Sequence, residues 1–176
     1  MTCIVGLASE GKVYMGADSA GASEWTVRAV RSSKVFKVGP FIIGYTTSFR
    51  MGEILQYHLE VQPQDGESDH RYMVCQFAEA VRKALKEHGF AKVENNVEEG
   101  GIFLVGYHGH LYSVDDDFQM TEMADGYDAC GGGKEFALGA MRALEEMSPE
   151  KRIKRALEIA AFFSGAVMPP FHILSG

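Results

Sequence analysis

Threonine occupies position 2, directly after the initiator methionine. A threonine hydroxyl stays protonated near neutral pH and is a poor nucleophile until a base takes its proton; a free α-amino group on the same residue can be that base. With an ordinary pKa of about 7.7–8.0, such an amine is substantially neutral near physiological pH and can accept the hydroxyl proton. Threonine is small enough for the preceding methionine to be removed, so a mature chain opening on Thr2 is expected. Many proteins begin Met-Thr without consequence, and position 2 gains meaning only in company. An activated threonine needs a nearby cation to hold its amine and hydroxyl proton poised, and a carboxylate to orient that cation. Lys34 and Asp18 are the candidates for those two places.

The elements that must position these residues are readable in outline. Residues 3 to 18 run as an apolar segment, a turn centred on Gly11 and a second segment ending in Asp18, the pattern of a β-hairpin. The pattern recurs where Leu104 to Tyr107 and Leu111 to Val114 flank a turn at Gly109. Strand-like runs at Lys34 to Val38 and Phe41 to Tyr45 complete a picture of two antiparallel sheets. Met73, Val74, Phe77, Val81 and Leu85 recur at helical spacing, as do Phe136, Ala137, Ala140, Met141 and Leu144, then Ile153, Leu157 and Ala160. Ser148, Pro149 and Glu150 read as a helix start, with a capping hydroxyl, a proline in the first turn and an acid beside it. VQPQDGESDH and KVENNVEEGG read as surface loops. Strands, helices, strands, helices in that order predict an α+β chain folded as a four-layer α/β/β/α sandwich, one domain over residues 1–176.

Bulk properties narrow the function. Hydrophobic residues make up 46% and charged residues 23% of the 176, a globular balance. The net charge of -7 leaves no footprint for a phosphate backbone, so nucleic acid is not an expected partner. No stretch is long enough to span a bilayer, and the N-terminus lacks the features of a secretory signal, so a cytoplasmic protein is expected. Cys3, Cys75 and Cys130 fit no zinc or disulfide spacing and read as small buried hydrophobes. CGGGKEF lacks the spacing and the following hydroxyl of a phosphate loop, and Glu135 after Lys134 would repel phosphate. His108, His110 and the aspartates 115–117 flank a turn and read as solvated residues rather than metal ligands. Neither metal nor cofactor is expected.

With these residues in view, the chain resembles the catalytic β subunits of the proteasome and the related bacterial protease HslV. TCIVGLASEGKVYMGADS places Thr2 on the mature N-terminal threonine and Asp18 on the aspartate of those families, and SSKVFKVGPFIIGYTTS places Lys34 on their lysine. ACGGGKEFALGAM is similar to their Gly-Ser-Gly segment opening a helix, and FFSGAVMPPFHIL to their Ser-Gly turn before a last strand. The resemblance implies an N-terminal-nucleophile (Ntn) hydrolase of the proteasome-subunit type, a threonine endopeptidase. Thr2 would be nucleophile and internal base, Lys34 the cation, Asp18 its partner, and Ser164 the retained serine of the site. The N–H of Ser48 would fall at the oxyanion position usually held by glycine. Gly21, Ser32, Phe36, Thr46 and Arg50 would line the first specificity pocket; if Arg50 points inward an acidic side chain is favoured, and if it begins a helix it faces solvent.

The resemblance also implies a homo-oligomeric ring, hexameric or heptameric and stacked in some relatives, fed by an ATP-dependent unfoldase and acting on peptides. Two positions depart from the pattern. Gly132 stands in place of a serine and Ala161 in place of an aspartate that contacts it. These losses motivate an alternative, a catalytically inactive ring-forming scaffold or binding protein. A further alternative is an Ntn amidase acting on a small molecule.

Overall fold

Side-chain alternation along the first strand decides what it separates. The computed structural model describes residues 2–94 and 97–176. In it β1 (Ile4–Ser9) turns at Glu10 and Gly11, both at positive φ, into β2 (Lys12–Ala17). Val5 and Leu7 point to one side of this hairpin and Ile4 to the other, as a period of two requires. A short hairpin, β3 (Ala20–Ser23) and β4 (Thr26–Ala29), follows, then β5 (Val35–Val38) and β6 (Phe41–Tyr45). Helix α1 (Phe49–His58) comes next, and α2 (Asp69–Tyr72) passes through a π-helical turn at Met73–Phe77 into α3 (Ala78–Glu87). The strands β7 (Lys92–Glu94), β8 (Val97–Glu99), β9 (Phe103–Tyr107), β10 (His110–Val114), β11 (Met120–Glu122) and β12 (Tyr127–Cys130) lead to α4 (Lys134–Ala143), α5 (Pro149–Phe163) and β13 (His172–Ser175).

Two antiparallel sheets, ordered β12-β1-β2-β13 and β11-β10-β9-β6-β5, form the middle layers. Three apolar interfaces hold the stack. Between the sheets lie Ile4, Met15, Val35, Ile42, Leu104 and Leu111. Val5 and Leu7 of the first sheet pack under Ala137, Met141, Ile153 and Leu157 of α4 and α5. Ile43 and Val105 of the second sheet pack under Leu55 of α1, Phe77 of the π-helical turn, and Val81 and Leu85 of α3. Each such fully buried side chain contributes about 1.5–3 kcal/mol. The result is the α/β/β/α sandwich that the element order predicts. Among the described residues no helix is long and apolar enough to cross a membrane.

Several local expectations are corrected. KVENNVEEGG is a hairpin in part: β7 pairs antiparallel with β8, and Glu98 ties it to α3 through Arg82 and Lys86 at 2.8 and 2.7 Å, while residues 95 and 96 lie outside the described residues. Charge pairing with the helix, invisible to local composition, recruits the segment. Val74 is exposed although it keeps helical spacing, within the π-helical turn that buries Met73 and Phe77. Phe136 is also exposed, its ring stacked on that of Phe163. Cys75, expected to be buried, is exposed beside Val74. At α5 Pro149 takes the first turn as anticipated, but the Ser148 side chain makes no capping bond; its carbonyl instead accepts from Arg152 N–H at 2.9 Å. In VQPQDGESDH the last residues leave the loop: Ser68 caps α2, accepting from Arg71 N–H, and Asp69 opens the helix.

Candidate active site

Thr2 lies two residues before β1, Asp18 directly follows β2, and Lys34 directly precedes β5, so three strand ends converge at one edge of the stacked sheets. All three side chains are buried. The Lys34 ammonium donates to Thr2 Oγ1 at 3.0 Å and to Asp18 Oδ1 at 2.8 Å. Asp18 also accepts from the backbone N–H groups of Cys3 (3.0 Å), Ala20 (2.8 Å) and Met168 (3.2 Å). Its carboxylate is therefore held from three directions of the fold: the residue before β1, its own turn and the segment before β13. Burial lowers the Lys34 pKa from its ordinary value, and the bond to Asp18 opposes that shift without cancelling it.

Cys3, next to Thr2 in the chain, is the small buried hydrophobe that the sequence suggests. It lies wholly inside the layer beneath α4 and α5, and burial pushes its thiol up to about 12, so it carries no thiolate near neutral pH. The backbone of Thr2 is held from the other side, where Gly133 N–H donates to its carbonyl at 3.2 Å. Gly131 sits against that carbonyl at φ +93, with no room for a Cβ. Gly132 is different: a Cβ there would meet only Ala166 Cβ, at an ordinary 3.7 Å. The serine missing from this position would fit.

The opposite wall is Thr46–Arg50. Thr46, Ser48 and Arg50 line a cleft of about 330 Å³ together with Thr2 and Lys34. Ser48 caps α1, its hydroxyl accepting from Arg50 N–H at 3.1 Å. Its own N–H, assigned to the oxyanion position by resemblance, donates to the Thr46 carbonyl at 2.7 Å around Thr47, which is held at φ +64. A turn closed over one residue at positive φ is strained. The Thr47 hydroxyl accepts from Ile102 N–H at 3.1 Å and helps fix it.

The remaining predicted residues disperse. Ser164 ends α5, where its hydroxyl accepts from Ala166 N–H at 3.3 Å, just upstream of the Met168 N–H that reaches Asp18. Ala161 lies in the last turns of α5, partly buried against the same layer. Phe36 is in the core between the second sheet and its helices, 6.0 Å from the Tyr45 ring, and is not among the described residues that line the Thr2 cleft. Gly21 abuts Val30, and Ser32 opens onto a second, adjoining cavity of about 520 Å³. Arg50 lies in the first turn of α1 with its side chain 53% exposed, facing solvent rather than a closed pocket. His108 and His110 turn to separate carboxylates, Asp69 and Glu122. Sequence reasoning missed Tyr45 and Phe49, which wall both cavities, and Glu53, Gln56 and Tyr57, which line the second. Their helical spacing from Phe49 was the available signal.

No protein-family model matches this sequence, and no curated protein does. Among solved structures the chain is similar to Thiobacillus denitrificans BPH, with a TM-score of 0.83 at 21% identity over 99% of this chain and 97% of the other. The same protein in complex with epoxomicin gives 0.82 at 20% identity, over 99% and 98% of the two chains. Eukaryotic HslV from Trypanosoma brucei gives 0.70 at 19%, over 99% and 98%. The overlap runs end to end at TM-scores of 0.70 to 0.83, and the chain has the HslV/proteasome-type Ntn-hydrolase fold.

Proposed function

We propose that this protein is a threonine peptidase in which Thr2 becomes the nucleophile once Met1, which lies outside the described residues, is removed. The observation that carries the reading is the buried Lys34 ammonium shared between Thr2 Oγ1 and Asp18 Oδ1. A buried ion pair is a weak device for stability, because desolvation offsets most of the attraction. One with a hydroxyl on the cation's free side and a cleft above it suits chemistry. In the proposed reaction the freed α-amine takes the Oγ1 proton and Oγ1 attacks a peptide carbonyl. Lys34 stabilises the negative charge that develops on Oγ1, and the protonated amine then returns its proton to the leaving amine. Water cleaves the resulting acyl-threonine ester. For Ser48 N–H to serve the oxyanion it must swing away from the Thr46 carbonyl. Assembly as a homo-oligomeric ring, hexameric or heptameric, and feeding by an ATP-dependent unfoldase belong to the same proposal. So do a cytoplasmic setting and a single domain over residues 1–176.

The test is the intact mass of the purified protein before and after an electrophile that reacts with N-terminal threonine; epoxomicin, held by the Thiobacillus relative, is one compound to use. Loss of the Met1 mass and one adduct on Thr2, absent in Thr2→Ala, is the expected result. A second reading, a ring-forming protein without peptidase activity, is favoured by Gly132, by Ala161 and by the Ser48 N–H already engaged at Thr46. A retained Met1 with no adduct would establish it instead.

A further inference from the structure

We propose that the cavity adjoining the Thr2 cleft selects a cationic side chain, guanidinium or ammonium, with Glu53 as the selecting charge; this names the substrate class and rests on the peptidase reading. The two cavities share Tyr45 and Phe49 as a common wall, so a peptide crossing Thr2 can place one side chain in the second cavity. At about 520 Å³ the second cavity is the larger and admits the longest natural side chains. The rings of Tyr45, Phe49 and Tyr57 supply apolar walls for a long methylene stem. The Tyr45 and Tyr57 rings also carry the negative face of an aromatic quadrupole, which attracts a cation over them, whereas the Phe49 ring already has the Lys34 ammonium 5.9 Å from its centroid. Among the described residues Glu53 is the one charged residue on the lining, and Gln56, Ser32 and Ser33 add hydrogen-bond acceptors around it. Anion, ring faces and acceptors favour the same kind of group.

This reverses the preference that Arg50 suggests in the sequence. Arg50 lines the Thr2 cleft and not the second cavity. It approaches Glu53 only to 3.9 Å, with the two side chains 53% and 61% exposed. A pair so long and so solvated is easily displaced by a substrate cation that brings its own stem into the cavity. An acidic side chain would meet Glu53 directly and be repelled. Helix α1 sets the arrangement: Phe49, Glu53 and Gln56 are spaced four and three residues apart and share one face, with Tyr57 beside them.

Full-length Thr2→Ala, which binds without turnover, is titrated by calorimetry with two acetylated tripeptide amides that differ only in ending on arginine or on its neutral isostere citrulline. Arginine is expected to bind about five- to tenfold more tightly. Adding Glu53→Gln, an exposed substitution compatible with folding, is expected to bring the two within about twofold while leaving the citrulline peptide unchanged. Equal binding in Thr2→Ala, an arginine preference that survives Glu53→Gln, or no binding of either peptide overturns the assignment. Because the nucleophile is absent throughout, a failed adduct at Thr2 in the wild type counts against the peptidase reading alone.

Discussion

The two walls of the Thr2 cleft are built on opposite physical terms. On one, Thr2, Asp18 and Lys34 are buried, and Asp18 alone takes four donors, from Cys3 just before β1, from its own turn, from Lys34 and from the segment before β13. On the other, Thr46–Arg50 is partly solvated, turns through Thr47 at positive φ and closes the Ser48 N–H onto its own chain. The first wall is over-determined, since each group is held by several bonds from separate elements. The second holds its shape through few bonds, Thr47 to Ile102 chief among them. The difference implies that the charges are preorganised while the backbone donor adjusts. Electrostatic groups in a dry site lose most by reorganising during reaction, so the division suits a nucleophile on a rigid base.

Asp18→Ala should break this contrast most severely. It strands the Lys34 charge in a dry site, and a loss of about 3–5 kcal/mol in unfolding free energy is expected from denaturant titration. Replacing both partners, Asp18→Leu with Lys34→Met, should recover the part of that loss due to the stranded charge, leave the part due to the unpaired N–H groups of Cys3, Ala20 and Met168, and abolish labelling of Thr2. Gly131→Ala comes next. Its φ of +93 and the Thr2 carbonyl against it leave no place for a methyl, and about 1–3 kcal/mol should be lost, read the same way.

A smaller effect sharpens the role of the buried cation. The Lys34 pKa lies below its ordinary 10.5, so its ammonium deprotonates earlier than an exposed lysine would. The rate of Thr2 labelling should rise as the α-amine loses its proton, then fall on an alkaline limb below the ordinary lysine range. A profile that stays flat up to pH 10.5 would contradict the cationic role. Linkage gives the same group a stability signature. Between its lowered native pKa and its ordinary one the unfolded state binds more protons, so this contribution to stability grows as pH rises through that window.

The smallest effect is expected at Gly132→Ser. The site has room for the side chain, so stability should change by less than about 1 kcal/mol, and the labelling rate reports whether a hydroxyl there assists Thr2. No change in rate would mean that the site works, or idles, without that group.

Much of the frame was legible in the sequence because hairpins and amphipathic helices are local. Turn residues at Gly11 and Gly109 mark two hairpins, and the apolar stripes of α3, α4 and α5 mark the outer layers. Helix α1 was anticipated only at its start, as a helix opening near Arg50, and the hairpin of β7 and β8 escaped. The first shows only a modest apolar stripe, and the second is recruited by ion pairs to a helix already passed in the chain. At the site Thr2, Asp18 and Lys34 stood out because an activated threonine needs a cation and a carboxylate, and because the resemblance places all three. Ser48, Phe36 and Arg50 were placed by resemblance, which assigns positions and not bond partners or facing directions.

What the sequence by itself determined is the order of the layers and the identities of the residues at the three converging strand ends, since period and turn chemistry act over neighbours in the chain. What only the tertiary structure decided is the set of bonds across long separations. Asp18 meets Met168, Thr47 meets Ile102, and Glu53 rather than Arg50 is the charge facing the second cavity. Such partners are chosen by how sheets stack and helices dock, and no local pattern carries that information.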